Sequence, residues 1–401
     1  MSAVTTDSTL VPQATKRRTV ALLSMGHGAA HWYTGLYSVI LPVIAQTLGL
    51  SYTQVGVIAS VRGMGSSLSS IAGGVLADTT DRRKTLLVLC LITTAIAHAL
   101  LGSVSSFGGV LILLTLGVLG NATWHPLAMP VLTYLYPRRM GLSLGLHDGG
   151  AQIVQAISPL IVGWALTFVL WRRVLHLHLL PGLIMAGLLW LALPHIQIAT
   201  REGRSRFRER LRSDLLGNAR MWVVSTIWTL TGMAREGITT FLPLFVAFEL
   251  GLSSVWVGAY VASVTLAGAM TAPAAGWLGD KAGHRTILLV GMLGGAGLLL
   301  LLPRAPSGLP LMMVTALLGL FVFSSRSLLF ASAMGATSTD VGGSTIGLMF
   351  FLNRGASAIA PLLSGWLAER YGLAYVFYFL GSLILLAGLL TSAFLKPGES
   401  T

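Results

Sequence analysis

The sequence predicts an all-α integral membrane protein whose twelve transmembrane helices form two pseudo-symmetric six-helix bundles. Three observations carry this. Of 401 residues, 54% are hydrophobic and 10% charged, and the mean hydropathy is +0.79, leaving too little polar surface for a soluble domain. The apolar stretches are each long enough to cross ~30 Å of hydrocarbon as a helix, which takes about 20 residues. Finally, landmarks in the first half return in the second at one constant offset of 202 positions. Leu48-Gly49-Leu50-Ser51 returns as Leu250-Gly251-Leu252-Ser253, and Gly74 and Asp78 with Arg83 return as Gly276 and Asp280 with Arg285. Gly141 and Gly145-Leu146 return as Gly343 and Gly347-Leu348, and Ser158-Pro159-Leu160 with Gly163-Trp164 returns as Ala360-Pro361-Leu362 with Gly365-Trp366. A register held over that distance means two copies of one unit. In a membrane protein, such duplication points to a transporter whose site lies where the halves meet.

Taken in order, the first bundle (20–197) has spans at 20–46, 53–78, 85–104, 107–135, 140–168 and 174–197. Span 1 carries His27 and His31, span 2 Arg62, span 4 Trp124-His125-Pro126 and Pro130, and span 5 His147, Asp148 and Pro159. A basic linker, 198–218, leads to the second bundle (219–395), with spans at 219–248, 254–277, 286–303, 309–336, 342–367 and 373–395. Span 7 carries Arg235 and Glu236, span 10 Arg326, and span 11 Arg354 and Pro361. Proline removes a helical N–H, so Pro126 and Pro130 should kink helix 4, and Pro159 and Pro361 should kink helices 5 and 11 at matched positions.

Assigned to the two sides of the spans, Lys and Arg divide eighteen to four, so the tails 1–19 and 396–401 and the linker are expected to be cytoplasmic. The setting expected is a bacterial inner membrane. The net charge of +13 records this topology and some contact with anionic lipid rather than nucleic-acid binding. The single cysteine, Cys90, excludes an internal disulfide and a multi-cysteine metal site. No cleavable signal is evident, and the tail before Lys16 is expected to be disordered. No phosphate-binding loop is present, so ATP is not the expected energy source, and no nucleophile, base and orienting group match by spacing, so no enzyme is expected. No cofactor is expected.

Gly73-Gly74-Val75-Leu76-Ala77-Asp78 with Arg82-Arg83-Lys84 resembles the cytoplasmic motif between helices 2 and 3 of the major facilitator superfamily, and 276–285 is its weaker copy. Small residues let helices approach closely, and an acid beside a basic turn can pair with it or cap the next helix. The resemblance gives Gly74, Asp78, Arg82, Arg83, Asp280 and Arg285 a conformational role. It also places helices 3, 6, 9 and 12 on the outside and 1, 4, 7 and 10 around a central cavity, flanked by 2, 5, 8 and 11. The four arginines and two acids well inside spans, away from their ends, avoid the outer set. A narrower resemblance, to the fosmidomycin-resistance branch of drug–proton antiporters, rests on Trp124-His125-Pro126, on Gly149-Gly150 with Ser158-Pro159, and on His27 ahead of Pro42. His31 stands where that branch would carry an acid.

A charge inside a membrane costs ~2.5–3.5 kcal/mol unless paired or hydrated. With histidines neutral, four arginines against two acids leave an excess that an anion would neutralise, and the guanidinium fork matches carboxylate, phosphate or phosphonate. Arg235, Arg326, Arg62, Arg354, His125, Trp124 and His31 are therefore the expected substrate residues, although Arg62 could instead pair with Asp148, and Asn353-Arg354 could join the halves. Asp148, Glu236 and His147 are the expected proton carriers, the acids being read as buried. His98, His176, His178 and His195 are read as interfacial. His27 and His31 have a spacing that suits a metal, but with no cysteine or carboxylate on that face and surplus positive charge nearby, none is expected. The function expected is efflux of a small organic anion by alternating access, coupled to protons, in a protein working as a monomer. Proton-coupled uptake, export of a metal or other cation, and a non-transporting receptor are the alternatives.

Overall fold

The computed structural model describes residues 11–136, 140–194, 219–325, 328–329, 332 and 351–395, without the side chains at 78–79, 140–142, 220 and 280. Arg326, the whole linker, and the Gly343 and Gly347-Leu348 landmarks lie outside the described residues. The helices are α1 (Gln13–Leu48), α2 (Tyr52–Thr79), α3 (Arg83–Leu101), α4 (Phe107–Leu135), α5 (Met140–Ala165), α6 (Trp171–Ala192), α7 (Ala219–Leu244), α8 (Ser254–Ala282), α9 (His284–Leu301), α10 (Leu309–Phe323), α11 (described over 351–371) and α12 (Leu373–Phe394). Each predicted span holds one of them. At α1 the boundary differs from the expectation: the helix starts at Gln13, so residues 13–15, expected to be disordered, belong to its first turn, followed by Lys16, Arg17 and Arg18.

The repeated landmarks do the same work in both halves. Gly49 and Gly251 follow α1 and α7 with φ of 61° and 64°, the left-handed conformation that glycine adopts without a Cβ penalty. Ser51 then starts α2 with a reciprocal cap, its Oγ accepting from the Gln54 amide at 3.2 Å while Gln54 Oε1 accepts from the Ser51 amide at 2.9 Å. Ser253 holds the same place before α8 without a side-chain cap.

The helices that are long and apolar enough to cross a membrane unaided are α3, α4, α6, α8, α9 and α12. All four helices that the resemblance puts outside are among them. Helix α4 is interrupted at Thr123 because Pro126 lacks the N–H that would reach the Ala122 carbonyl, and the Thr123 hydroxyl donates to the Gly120 carbonyl at 2.7 Å. Helix α11 is interrupted at residue 358, ahead of Pro361, whereas α5 runs unbroken through Pro159, so the matched prolines do not act alike. Helix α7 ends in a π-helical turn, Phe245–Glu249, and α10 carries one at Gly319–Phe323.

Within the first half, α5 packs on α1, and α2 on α4; across the halves, α5 packs on α8 and α2 on α11. Between apolar helices in lipid there is no hydrophobic drive, so close packing at small residues holds them. Glycines make these crossings, in pairs related by the 202-position repeat. Gly56 lies against the Pro361 carbonyl, as Gly258 does against that of Pro159; Gly365 lies against the Tyr52 carbonyl, as Gly163 does against that of Ser254. At all four a Cβ would come closer than 3.0 Å to backbone oxygen. The Thr53 amide also donates to Glu369 Oε2 across the halves at 3.3 Å. These contacts seal the end of the bundle away from the chain termini. Among the described residues, nothing lies within 4 Å of where a Cβ would stand at Gly74, Gly145, Gly149, Gly150 or Gly276.

Candidate functional site

Two groups of polar side chains face the space between the helices. The first is a histidine cluster in the amino-terminal half. His27 and His31, one turn apart on α1, meet His125 of α4 and His147 of α5. Ring centroids lie 4.5 Å apart for His27 and His31, 4.6 Å for His27 and His125, and 4.2 Å for His27 and His147, the last two rings being stacked. His27 is fully buried and donates from Nδ1 to the His147 carbonyl at 3.3 Å, with the Asp148 carboxylate 4.0 Å from the same nitrogen. His31 donates from Nδ1 to Gln155 Oε1 at 2.6 Å. His27 Nε2 and both ring nitrogens of His147 are buried without a hydrogen-bond partner. This convergence has a local cause: Gly28 gives Val154 room on α1, and Gly35 takes the Gln155 carbonyl and Pro159, bringing α5 close enough to present His147 and Gln155.

The second group is cationic. The Arg62 guanidinium of α2 lies 3.5 Å from the centroid of the Tyr37 ring of α1, a cation–π contact. Arg235 of α7 stands 5.0 Å over Phe323, in the π-helical turn of α10. Glu236 acts electrostatically on Tyr37, which places it near the same space. The halves thus each contribute a half-buried guanidinium resting on an aromatic face. Arg326 lies outside the described residues.

Several expectations are corrected. Asp148 and Glu236 are not buried: the Asp148 side chain is 40% exposed and Glu236 is exposed. Trp124 is wholly buried, its indole stacked behind His27 and wedged against Gly26, so it supports the histidine wall and does not line it. Arg354 donates to Ser66 Oγ and Asn353 to the Trp228 carbonyl at 2.9 Å, so this pair ties α11 to α2 and α7. His98 is not interfacial but buried in α3 beside Tyr33. Arg83 turns back to donate to the Ala77 carbonyl in the last turn of α2, a favourable place for a cation, while exposed Arg82 stands ahead of α3. Its repeat partner Arg285 donates instead to the Ser392 carbonyl. The motif carboxylates Asp78 and Asp280 have no described side chains.

Tyr37, Gln155 and Phe323 were not anticipated.

The sequence profile of the Major Facilitator Superfamily matches residues 23–361. The chain is 23% identical over 377 residues to the cis,cis-muconate transport protein of Acinetobacter baylyi, covering 91% of this chain and 90% of that one. It is 32% identical over 174 residues to the multidrug resistance protein MdtG of Salmonella choleraesuis, a match spanning 42% of each chain. Among solved structures, a bacterial homologue of the human lysosomal transporter Spinster, inward-facing and unoccupied, superposes with a TM-score of 0.82 over 96% of this chain and 99% of that one, at 16% identity. The nucleoside transporter NupG superposes at 0.75 over 94% and 99%, at 14% identity. At such identities the likeness concerns the fold. The chain therefore belongs to the Major Facilitator Superfamily and is a multi-pass membrane transporter, not an enzyme.

Proposed function

We propose that this transporter moves a small organic anion, a carboxylate or phosphonate, outward across a bacterial inner membrane by alternating access, in exchange for protons. The observation that carries the reading is the pair of guanidinium groups, Arg62 and Arg235, one from each half, each resting on an aromatic ring beside the cleft. A bound anion bridging them would be gripped in one arrangement of the halves and released as they rock. Arg326 would complete this grip from α10. The relative that matches nine-tenths of the chain is named for muconate, an organic dianion, and that supports the same substrate class.

Asp148, Glu236 and His147 are the proton carriers in this reading. Neither acid is buried in this arrangement, so protons and substrate can reach both. A potential negative inside drives an anion outward by about 2.3 kcal/mol per charge per 100 mV, so efflux proceeds with few coupled protons. The resemblance to MdtG over part of the chain supports that direction. The protein acts as a monomer with both termini cytoplasmic, binds lipid along its outer helices, and requires no cofactor.

The test is a melting-temperature panel on purified protein with carboxylates including cis,cis-muconate, phosphonates, phosphate esters and organic cations. An anion should stabilise the parent, and Arg62→Lys or Arg235→Lys, which keep charge but lose the fork, should abolish the shift. Stabilisation by cations alone would overturn the reading.

A further inference from the structure

The histidine cluster contains more than proton transfer requires. Buried polar atoms in folded proteins nearly always have a partner, and each one left without costs about 1–3 kcal/mol. Here His27 Nε2 and both ring nitrogens of His147 lack one. If these rings served packing alone, apolar side chains would serve as well at no such cost. The orphaned nitrogens sit where three helices bring imidazoles together, and one ring nitrogen from each of His27, His31 and His125 can be chosen so that all lie within 4.8 Å of one another.

We propose that His27, His31 and His125 form a binding site for a divalent transition-metal ion of the zinc, cobalt or nickel class. Two features go beyond proximity. The first is the tautomer. A metal-bound imidazole uses one nitrogen's lone pair while the other nitrogen donates its proton to a fixed acceptor. His27 Nδ1–H donates to the His147 carbonyl, with the Asp148 carboxylate beside it, and His31 Nδ1–H donates to Gln155 Oε1. Both rings therefore hold Nε2 as a lone pair directed away from its acceptor, with the outer-shell support that metal-binding histidines have.

The second feature is charge. From sequence, no carboxylate is evident beside His27 and His31 and the cavity arginines would repel a cation. In the fold, the Asp148 carboxylate, which comes from α5, lies 4.0 Å from His27 Nδ1. A cation here is bound by neutral ligands with an anion at hand. Arg62 stands off on the Tyr37 ring.

Nitrogens bound tetrahedrally at about 2.0–2.1 Å lie about 3.3 Å apart, so small side-chain rotations close the present spacing. Half-buried His31 and His125 and the partly exposed Asp148 give an ion a path from the cleft. Three protein ligands leave a fourth position for water or a carboxylate oxygen, the arrangement of an exchangeable ion rather than a structural one. The site is independent of the anion reading, and its test needs no transport substrate.

The experiment titrates the untagged, purified full chain with Co2+, read by its visible absorption, and then displaces it with Zn2+. One Co2+ per chain should bind saturably, and binding should weaken as pH falls because protons compete for the same nitrogens. His31→Gln and His125→Gln, at half-buried positions that tolerate the change, should each weaken binding at least tenfold, whereas His176→Ala, at a histidine outside the cluster bonded to Ser103, should not. Monodisperse elution checks that each variant is folded. Non-saturating Co2+ uptake, or the parent's affinity in both His31→Gln and His125→Gln, overturns the proposal.

Discussion

Adding one methyl group at Gly258 should shift the balance between the two arrangements of the halves. In the described arrangement a Cβ at Gly258 would stand closer than 3.0 Å to the Pro159 carbonyl oxygen and carbon of α5, and both are backbone atoms that no rotamer change can move. Overpacking of this kind costs about 1–3 kcal/mol. The strain exists only while α5 and α8 are in contact, so the population sealed at the end away from the termini should fall about 5–150-fold relative to the alternative. Gly56→Ala, against the Pro361 carbonyl, should do the same by the repeat symmetry, while Gly276→Ala, with open space around it, should not strain this arrangement. The assay is spin-label distance measurement between Leu170→Cys and Leu309→Cys, two exposed positions at the sealed end on opposite halves, in a Cys90→Ser background. A longer-distance population should grow in Gly258→Ala and Gly56→Ala and stay at the parent's level in Gly276→Ala. Unchanged distances in both interface variants, with the protein folded, would refute the claim that glycine contacts seal that end.

Other outcomes follow from the same geometry. Trp124→Ala should cost about 3–5 kcal/mol of stability, seen as a lower melting temperature, while ligand affinity in the folded fraction is kept; lost affinity at an unchanged melting temperature would put Trp124 in the site. Arg354→Ala and Ser66→Ala each break the same link between α11 and α2, so their destabilisations, about 1.5–3 kcal/mol, should not add in the double variant, and full additivity would contradict the link. Asp148→Asn or Glu236→Gln should abolish the response of substrate flux to a pH gradient while sparing substrate-for-substrate exchange; parental behaviour in both would remove these acids from coupling.

Much of the fold was legible because its logic is local and repeated. The offset that relates Gly49 to Gly251 also relates Gly56 to Gly258 and Gly163 to Gly365, so the residues that end helices and those that join the halves obey one register. The site was less legible, since it depends on which face of a helix meets which neighbour. Trp124 and His125 are adjacent in sequence but point apart, one behind the histidine wall and one within it. The one-turn spacing of His27 and His31 was readable, but His147, Gln155 and Asp148 join them through long-range packing of α5 on α1, and Arg62 finds Tyr37 through packing of α2 beside α1. The two acids were misjudged as buried because position within a span does not tell whether a helix face borders a wet cleft or another helix.

The central claim, transport of an organic anion coupled to protons, is tested most directly in proteoliposomes. The measurement is uptake of a radiolabelled dicarboxylate, cis,cis-muconate first and then whichever anion gives the largest melting shift, with the membrane potential clamped and a pH gradient imposed in either direction. The account predicts saturable flux that moves against the proton gradient, reverses when the gradient is reversed, and is lost in Arg235→Lys. Flux that ignores the pH gradient, or that Arg235→Lys leaves at the parent's rate, would contradict it.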